Sequence, residues 1–231
     1  MENFVYFIGS AICLFFWLLF FLLKKYLRKE MLFMGFLFAL LGPFQEYFFF
    51  KDYWRPFLIF KLQLGNLIIP VEDVILGFAL GGLAAVVYEF FLGKKFIRRG
   101  RINYQDLFII IIIWFSCLFL LTKFLGLNSI FAVMIGYLIN AIVIYFRRKD
   151  LILNIFLSGL FTGVGVLIFY LIYTKFFPDY IEKVWLLKNT RMGILVLGVP
   201  LTEILWAFSI GTILGPIYEF IMNFKQKKTN G

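Results

Sequence analysis

Two acidic segments of the chain follow prolines within long apolar stretches. Glu72 and Asp73 come just after Pro70, and Glu203 follows Pro200 at a similar distance. A carboxyl group near hydrocarbon is costly unless it faces the interior of a helix bundle or carries a proton. The chemistry that such groups offer is therefore that of a sheltered acid or a buried charge, and we expect them to project into a shared interior chamber.

The same segments also fit an ordinary helix start. Proline loses no hydrogen bond at the first turn of a helix, and acidic side chains there complement the positive end of the helix dipole. In this alternative, Glu72, Asp73 and Glu203 mark the beginning of two helices and have no chemical role.

Further candidates lie near these segments. Glu46, which follows Pro43, could join the chamber or form an interfacial salt bridge with Lys51 or Arg55.

Aromatic residues make up 22% of the chain, and ring faces attract cations, including carbocations. The alternative is that these rings are apolar filler or membrane anchors. The candidates for substrate binding are Glu46, Trp54, Phe78, Trp206 and Phe208.

Composition restricts the class of protein. The 231 residues are 63% hydrophobic and 16% charged, against roughly 45–50% and 25% in an average soluble domain. This excludes a cytosolic enzyme, a disulfide scaffold and a disordered chain. The chain has no histidine and two cysteines, so we expect no metal or other cofactor. The net charge of +10 fits basic loops facing anionic lipid better than nucleic-acid binding.

Seven apolar runs predict seven transmembrane helices. The fourth run is short and spans a bilayer only if flanking residues join it. The runs are Phe4–Leu23, Met31–Phe50, Ile68–Leu92, Leu107–Leu121, Ile130–Phe146, Leu151–Thr174 and Met192–Phe224.

The basic residues predict the orientation of these helices. Alternate loops place 15 of the 23 lysines and arginines on one side of the membrane. The positive-inside rule then puts the C-terminus in the cytoplasm and the N-terminus outside the cell membrane. The fifteen are Lys24, Lys25, Arg28, Lys29, Lys94, Lys95, Arg98, Arg99, Arg101, Arg147, Arg148, Lys149, Lys225, Lys227 and Lys228.

The chain also contains an internal repeat at a constant offset of 130 residues without gaps. A ridge of small residues repeats as well, with Gly77, Gly81 and Ala85 corresponding to Ala207, Gly211 and Gly215, and such ridges let two helices approach closely. The identical pairs are Pro70/Pro200, Phe78/Phe208, Gly81/Gly211, Tyr88/Tyr218, Glu89/Glu219 and Phe90/Phe220.

Together, the seven apolar runs and this repeat predict an all-α membrane protein of seven helices. The repeated helices are the third and seventh spans, so they point the same way, as in parallel three-helix repeats joined by a linker helix. We expect one membrane domain over residues 1–231, with repeat units at 1–93 and 127–231 and the linker at 94–126. The acidic segments of both units would then lie at matching depth near the outer face.

The residues around the first acidic segment resemble a known family. The pattern Lys51-Asp-Tyr-Trp-Arg-Pro, a short apolar stretch with Gly65, and then Ile69-Pro-Val-Glu-Asp is similar to the small membrane-embedded lycopene cyclases of bacteria, archaea and fungi. That family is built of tandem three-helix units, each with a Pro-x-Glu-Glu motif. The second segment here reads Pro-Leu-Thr-Glu, so Thr202 stands in place of an acid.

The resemblance implies redox-neutral, acid-catalysed ring closure at the end of a linear carotenoid, an isomerase reaction. A carboxyl group would protonate the terminal C=C, the cation would close the ring, and proton loss would form the new double bond. A carboxyl group in apolar surroundings has a raised pKa and can remain an acid at neutral pH. By the motif match, Glu72, Asp73 and Glu203 would be the acid/base residues, and Glu72→Gln or Glu203→Gln should abolish cyclisation.

Other functions are also compatible with these sequence features. Water capture by the same cation would make the protein a carotenoid hydratase. A layout of three, one and three helices also describes the SWEET sugar transporters, although the polar groups here cluster toward the helix ends. A non-catalytic membrane scaffold is a third alternative. The expected partners are a lipophilic polyene or isoprenoid substrate and membrane lipid, with no nucleic acid, and the chain could form a homo-oligomer.

Overall fold

Seven long helices and one short one form the fold. The computed structural model describes residues 4–64, 67–93, 96–98 and 100–226. Gly65, Lys94, Lys95, Arg99, Lys227 and Lys228, which the sequence arguments used, lie outside these residues. The helices are α1 (Val5–Leu23), α2 (Arg28–Asp52), α3 (Val71–Leu92), α4 (Tyr104–Lys123), α5 (Ser129–Arg147), α6 (Ile152–Phe176), α7 (Tyr180–Val184) and α8 (Leu201–Met222).

The prediction of a seven-helix integral membrane protein is confirmed. In the described part of the chain, seven helices are long and apolar enough to cross a membrane, and α7, with five residues, is not one of them. Large apolar side chains such as Phe15, Phe36 and Phe146 are exposed on the outside of the bundle, where a bilayer is the favourable solvent. The orientation of the termini stays a prediction.

Two predicted span starts lie too early in the chain. The third span begins at Val71, after Pro70, and not at Ile68. The predicted start of the last span at Met192 is wrong, because α8 begins only after Pro200. The residues before it turn back on themselves through Leu197 and Gly198, both with positive φ, to form a short hairpin. The fourth span is confirmed as a full helix because the residues that flank the apolar run join α4.

The two repeated helices begin and end alike. Antiparallel hairpins lead into them: β1 (Lys61–Leu64) with β2 (Leu67–Pro70) before α3, and β4 (Leu195–Val196) with β5 (Val199–Pro200) before α8. Each helix starts after a proline and ends at a left-handed residue, Gly93 or Asn223. Beyond these ends, β3 (Phe96–Arg98) pairs antiparallel with β6 (Phe224–Gln226). The division into repeat units at 1–93, 94–126 and 127–231 stays a prediction.

The centre of the bundle is formed by α3 and α8. Helices α1 and α2 pack on α3, helices α5 and α6 pack on α8, and α3 contacts α8 directly. The small-residue ridges lie at these crossings: a Cβ added at Gly77 would lie 2.8 Å from the Phe38 carbonyl oxygen on α2, and one at Gly211 would lie 2.6 Å from the Ser158 carbonyl oxygen on α6. The absence of side chains therefore lets the helix backbones meet.

We predict that Gly81→Ala destabilises the bundle. The new methyl group would lie 2.6 Å from Phe38 Cβ and 2.8 Å from the Met34 carbonyl oxygen, and overpacking of this kind costs about 1–3 kcal/mol. The measurement is the thermal unfolding midpoint in detergent. The matched control is Gly165→Ala on α6, where a Cβ meets nothing within 4 Å and should leave the midpoint unchanged or slightly higher. Equal midpoints for Gly81→Ala and wild type would contradict the close α2–α3 crossing.

Candidate active site

A cavity of about 110 Å³ lies among the ends of the helices near the starts of α3 and α8. Its wall combines carboxyl groups, phenols and apolar side chains, and no lysine or arginine is among the described residues that form it. The polar and aromatic part of the wall consists of Tyr6, Phe38, Gln45, Glu46, Phe49, Tyr53, Trp54, Asp73, Tyr170, Glu203 and Trp206. The site is therefore a small chamber that holds acids without basic partners.

Asp73 lies in the first turn of α3 and is buried. The hydroxyl group of Tyr6 on α1 donates a hydrogen bond to its Oδ1. Its second oxygen, Oδ2, has no hydrogen-bond partner among the described residues. One oxygen of this carboxyl group is therefore held by a phenol, and the other is buried without a partner among the described residues.

Glu203 occupies the matching position in the first turn of α8 and is also buried. Both of its oxygens accept hydrogen bonds from phenols: Oε1 from Tyr53, and Oε2 from Tyr170 on α6 at 3.1 Å. The hydroxyl group of Tyr53 also lies 3.2 Å from Thr202 Oγ1. Thr202, which stands where the family pattern has an acid, therefore contributes to the hydrogen-bond network around Glu203.

Tyr53 reaches Glu203 because the segment after α2 is pinned to the segment after α7. The Tyr53 carbonyl oxygen accepts a hydrogen bond from the Leu186 N–H at 3.0 Å. The backbones of Trp54 and Trp185 form an isolated antiparallel β-bridge. Burial, followed by the negative charge of Glu203, raises the pKa of the Tyr53 phenol well above its ordinary value. Tyr53 therefore remains a neutral O–H donor.

Glu46 reaches the cavity from α2 and differs from the other two acids. It is half-buried and makes no hydrogen bond or ion pair within the described part of the chain. The alternative of a salt bridge to Lys51 or Arg55 is not realised, because Lys51 lies over the Tyr47 ring at 3.7 Å and Arg55 donates to the Phe50 carbonyl oxygen at 2.8 Å. Its carboxyl group is within electrostatic range of Asp73 and Glu203.

Glu72 is fully buried, but its side chain is not part of the cavity wall. Its Oε1 accepts hydrogen bonds from the backbone N–H groups of Ile59 at 2.8 Å and Phe60 at 3.0 Å. Adjacent positions on α3 thus have different partners: Asp73 is bonded to a phenol at the cavity, and Glu72 is bonded to the loop that leads into β1.

Of the four aromatic residues predicted to bind substrate, two line the cavity and two do not. Trp54 and Trp206 line the cavity. Phe78 instead packs on Trp17 and Phe36 with ring centroids 4.8 and 5.2 Å apart, and Phe208 packs near Phe156 at 6.3 Å. These two phenylalanines lie at helix crossings and not in the cavity wall.

Sequence reasoning missed the phenols that hold the acids. Tyr6 is 67 residues from Asp73, and Tyr170 is 33 residues from Glu203. Neither tyrosine belongs to a local motif, so only the packing of α1 on α3 and of α6 on α8 reveals them. Tyr53 is part of the Lys51–Pro56 pattern and could have been singled out there.

A second set of carboxyl groups is buried at the opposite end of α3 and α8. Glu89 and Glu219, which correspond at the offset of 130, lie within electrostatic range of each other and of Glu30 at the start of α2. Asn154 on α6 donates a hydrogen bond to Glu89 Oε1 at 3.1 Å. Among the described residues, no group of three acidic, histidine or cysteine side chains is arranged to hold a metal ion.

Comparison with known proteins assigns the chain to a family. The model of the family described as lycopene cyclase matches residues 1–91 and 128–221, which include Glu46, Asp73 and Glu203. No curated protein and no solved structure matches the chain significantly. The match confirms the resemblance seen in the sequence, and it does not favour the sugar-transporter alternative. This seven-helix membrane protein belongs to the lycopene cyclase family.

Proposed function

We propose that the protein closes a ring at the end of a linear carotenoid by acid catalysis. The observation that carries this proposal is the chamber itself: Glu46, Asp73 and Glu203 come from three different helices to one cavity with largely apolar walls. Membership of the lycopene cyclase family supports a lipophilic carotenoid as the substrate. The acids and the substrate class thus point to the same reaction.

The proposed reaction needs no oxidant or reductant. A carboxyl group gives its proton to the terminal C=C, which leaves a tertiary cation. The next double bond attacks that cation and forms the ring bond, and loss of a neighbouring proton to a carboxylate gives the ring double bond. The product is an isomer of the substrate, and the proton taken from the protein is returned to it.

The cavity fits an end group and not a whole carotenoid. Its volume of about 110 Å³ is below the roughly 300–1,000 Å³ of pockets that enclose a drug-sized ligand. We therefore expect one end of the polyene to enter the chamber while the rest stays in the bilayer against the apolar outside of the helices.

The aromatic part of the wall suits the cation. Trp54 and Trp206 line the cavity, and the face of an indole ring attracts positive charge more strongly than that of any other side chain. With the N-terminus outside the cell membrane, the chamber would lie near the outer face. The substrate end would then reach the site from the outer leaflet.

The test of the proposal is the pigment formed in a lycopene-accumulating bacterial host. Wild type should give cyclic carotenoids, whereas Glu203→Gln should lower cyclisation by about 100-fold or more, the usual effect of losing a general acid or base. Asp73→Asn should also lower cyclisation, because it replaces a carboxyl group of the cavity wall that is bonded to Tyr6. Pigments are separated by chromatography and normalised to the amount of folded membrane protein.

The matched control is Glu182→Gln, which removes a carboxyl group that is not part of the cavity wall. Glu182 is exposed and pairs with Lys188 at 2.5 Å, so its loss should leave the pigment profile unchanged. Unchanged lycopene with well-folded wild-type protein would refute the proposed activity. Wild-type yields from both cavity variants would refute the role of these acids.

We further propose that Glu72 supports the site and does not act on substrate. Glu72→Ala would leave the N–H groups of Ile59 and Phe60 without their acceptor, at a cost of about 1–3 kcal/mol. Glu72→Gln keeps an acceptor oxygen and should retain most of the stability and the cyclase activity. The measurements are the unfolding midpoint and amide hydrogen exchange at the two residues. Loss of activity in a fully stable Glu72→Gln protein would restore the catalytic role predicted from the sequence.

A further inference from the structure

The three cavity acids differ in how their oxygens are used. Glu203 accepts hydrogen bonds at both oxygens, and Asp73 accepts one. Glu46 accepts none within the described part of the chain, although it lines the same cavity. Resting on the proposed cyclase activity, we propose that Glu46 is the catalytic proton donor and that Glu203 is the proton acceptor.

The hydrogen bonds to Glu203 favour a carboxylate there, which is the form that accepts a proton. The O–H groups of Tyr53 and Tyr170 both point toward its oxygens, as donors do toward a carboxylate. Fixed donors of this kind stabilise negative charge without reorganisation during the reaction. Thr202 lies beside Tyr53 at 3.2 Å, so the threonine in place of the family acid supports a carboxylate and does not compete with it for a proton.

The surroundings of Glu46 suit a donor. A donor needs its own O–H directed at the substrate, and a carboxyl group without a phenol, lysine or arginine partner can turn it there. Glu46 projects from α2, while Glu203 projects from α8. Donor and acceptor therefore reach the end group from different helices.

In this assignment, the proton that Glu46 gives to the substrate is balanced by the proton that Glu203 takes from it. The Glu46 O–H bond breaks as a new C–H bond forms at the terminal C=C, and the ring bond forms from the electrons of the next double bond. A C–H bond beside the resulting cation then breaks, its electrons form the ring double bond, and Glu203 takes the proton. Transfer of a proton from Glu203 to Glu46 through water resets the pair.

The two roles predict different failures, which solvent deuterium distinguishes. Membranes containing each variant are incubated with lycopene in D₂O, and carotenoids are analysed by mass spectrometry. Glu46→Gln should block the first step, so deuterium incorporation into any carotenoid falls by about 10²–10⁴-fold. Glu203→Gln should still protonate the substrate, so deuterium persists while normal rings give way to hydroxylated products formed by water capture.

Two further variants keep the test decisive. Glu46→Asp retains an acid on a shorter side chain and should restore part of the deuterium incorporation, which a purely structural role of Glu46 does not predict. Glu182→Gln should behave as wild type. The assignment is overturned if wild type cyclises lycopene and Glu46→Gln incorporates deuterium equally well, or if Glu203→Gln loses all deuterium. Absence of rings from wild type would instead refute the proposed function itself.

Discussion

The structure depends on keeping acidic side chains inside a membrane bundle without basic partners. Asp73 and Glu203 are buried near the starts of α3 and α8, and the described residues around them include no lysine or arginine. A charge placed there would be costly unless polar groups compensate it. Phenol hydroxyls from α1, α6 and the segment after α2 supply that compensation. This arrangement keeps the two carboxyl groups in place at the cavity wall.

The fold provides this arrangement through two devices. A proline precedes α3 and α8, so the acids of both first turns lie at corresponding ends of the two central helices. Glycines at the crossings then bring backbones together, with Gly77 and Gly81 against α2 and Gly211 and Gly215 against α6. Close packing of the helix bodies contrasts with the open space at the helix ends. The chamber lies on the side of these crossings toward the starts of α3 and α8, and Gly77 is part of its wall.

Much of this could be predicted from the sequence, because it is encoded locally. Apolar runs gave the seven spans, and the offset of 130 residues pointed to Asp73 and Glu203 as equivalent positions. The start of α8 was misplaced since the apolar hairpin before Pro200 has the composition of a membrane helix. Glu72 and Asp73 could not be told apart, because their different partners depend on the loop and α1. Tyr6 and Tyr170 were missed because they meet their acids only through helix packing.

The most direct test is a structure of the protein with lycopene bound. We predict one end group inside the chamber, with its terminal double bond about 3–3.5 Å from the Glu46 carboxyl group, the distance of a reactive pose. The polyene should leave the chamber toward the bilayer, and Glu203 should face the far side of the end group. A polyene bound only on the outside of the bundle, with the three acids turned toward water, would contradict the account.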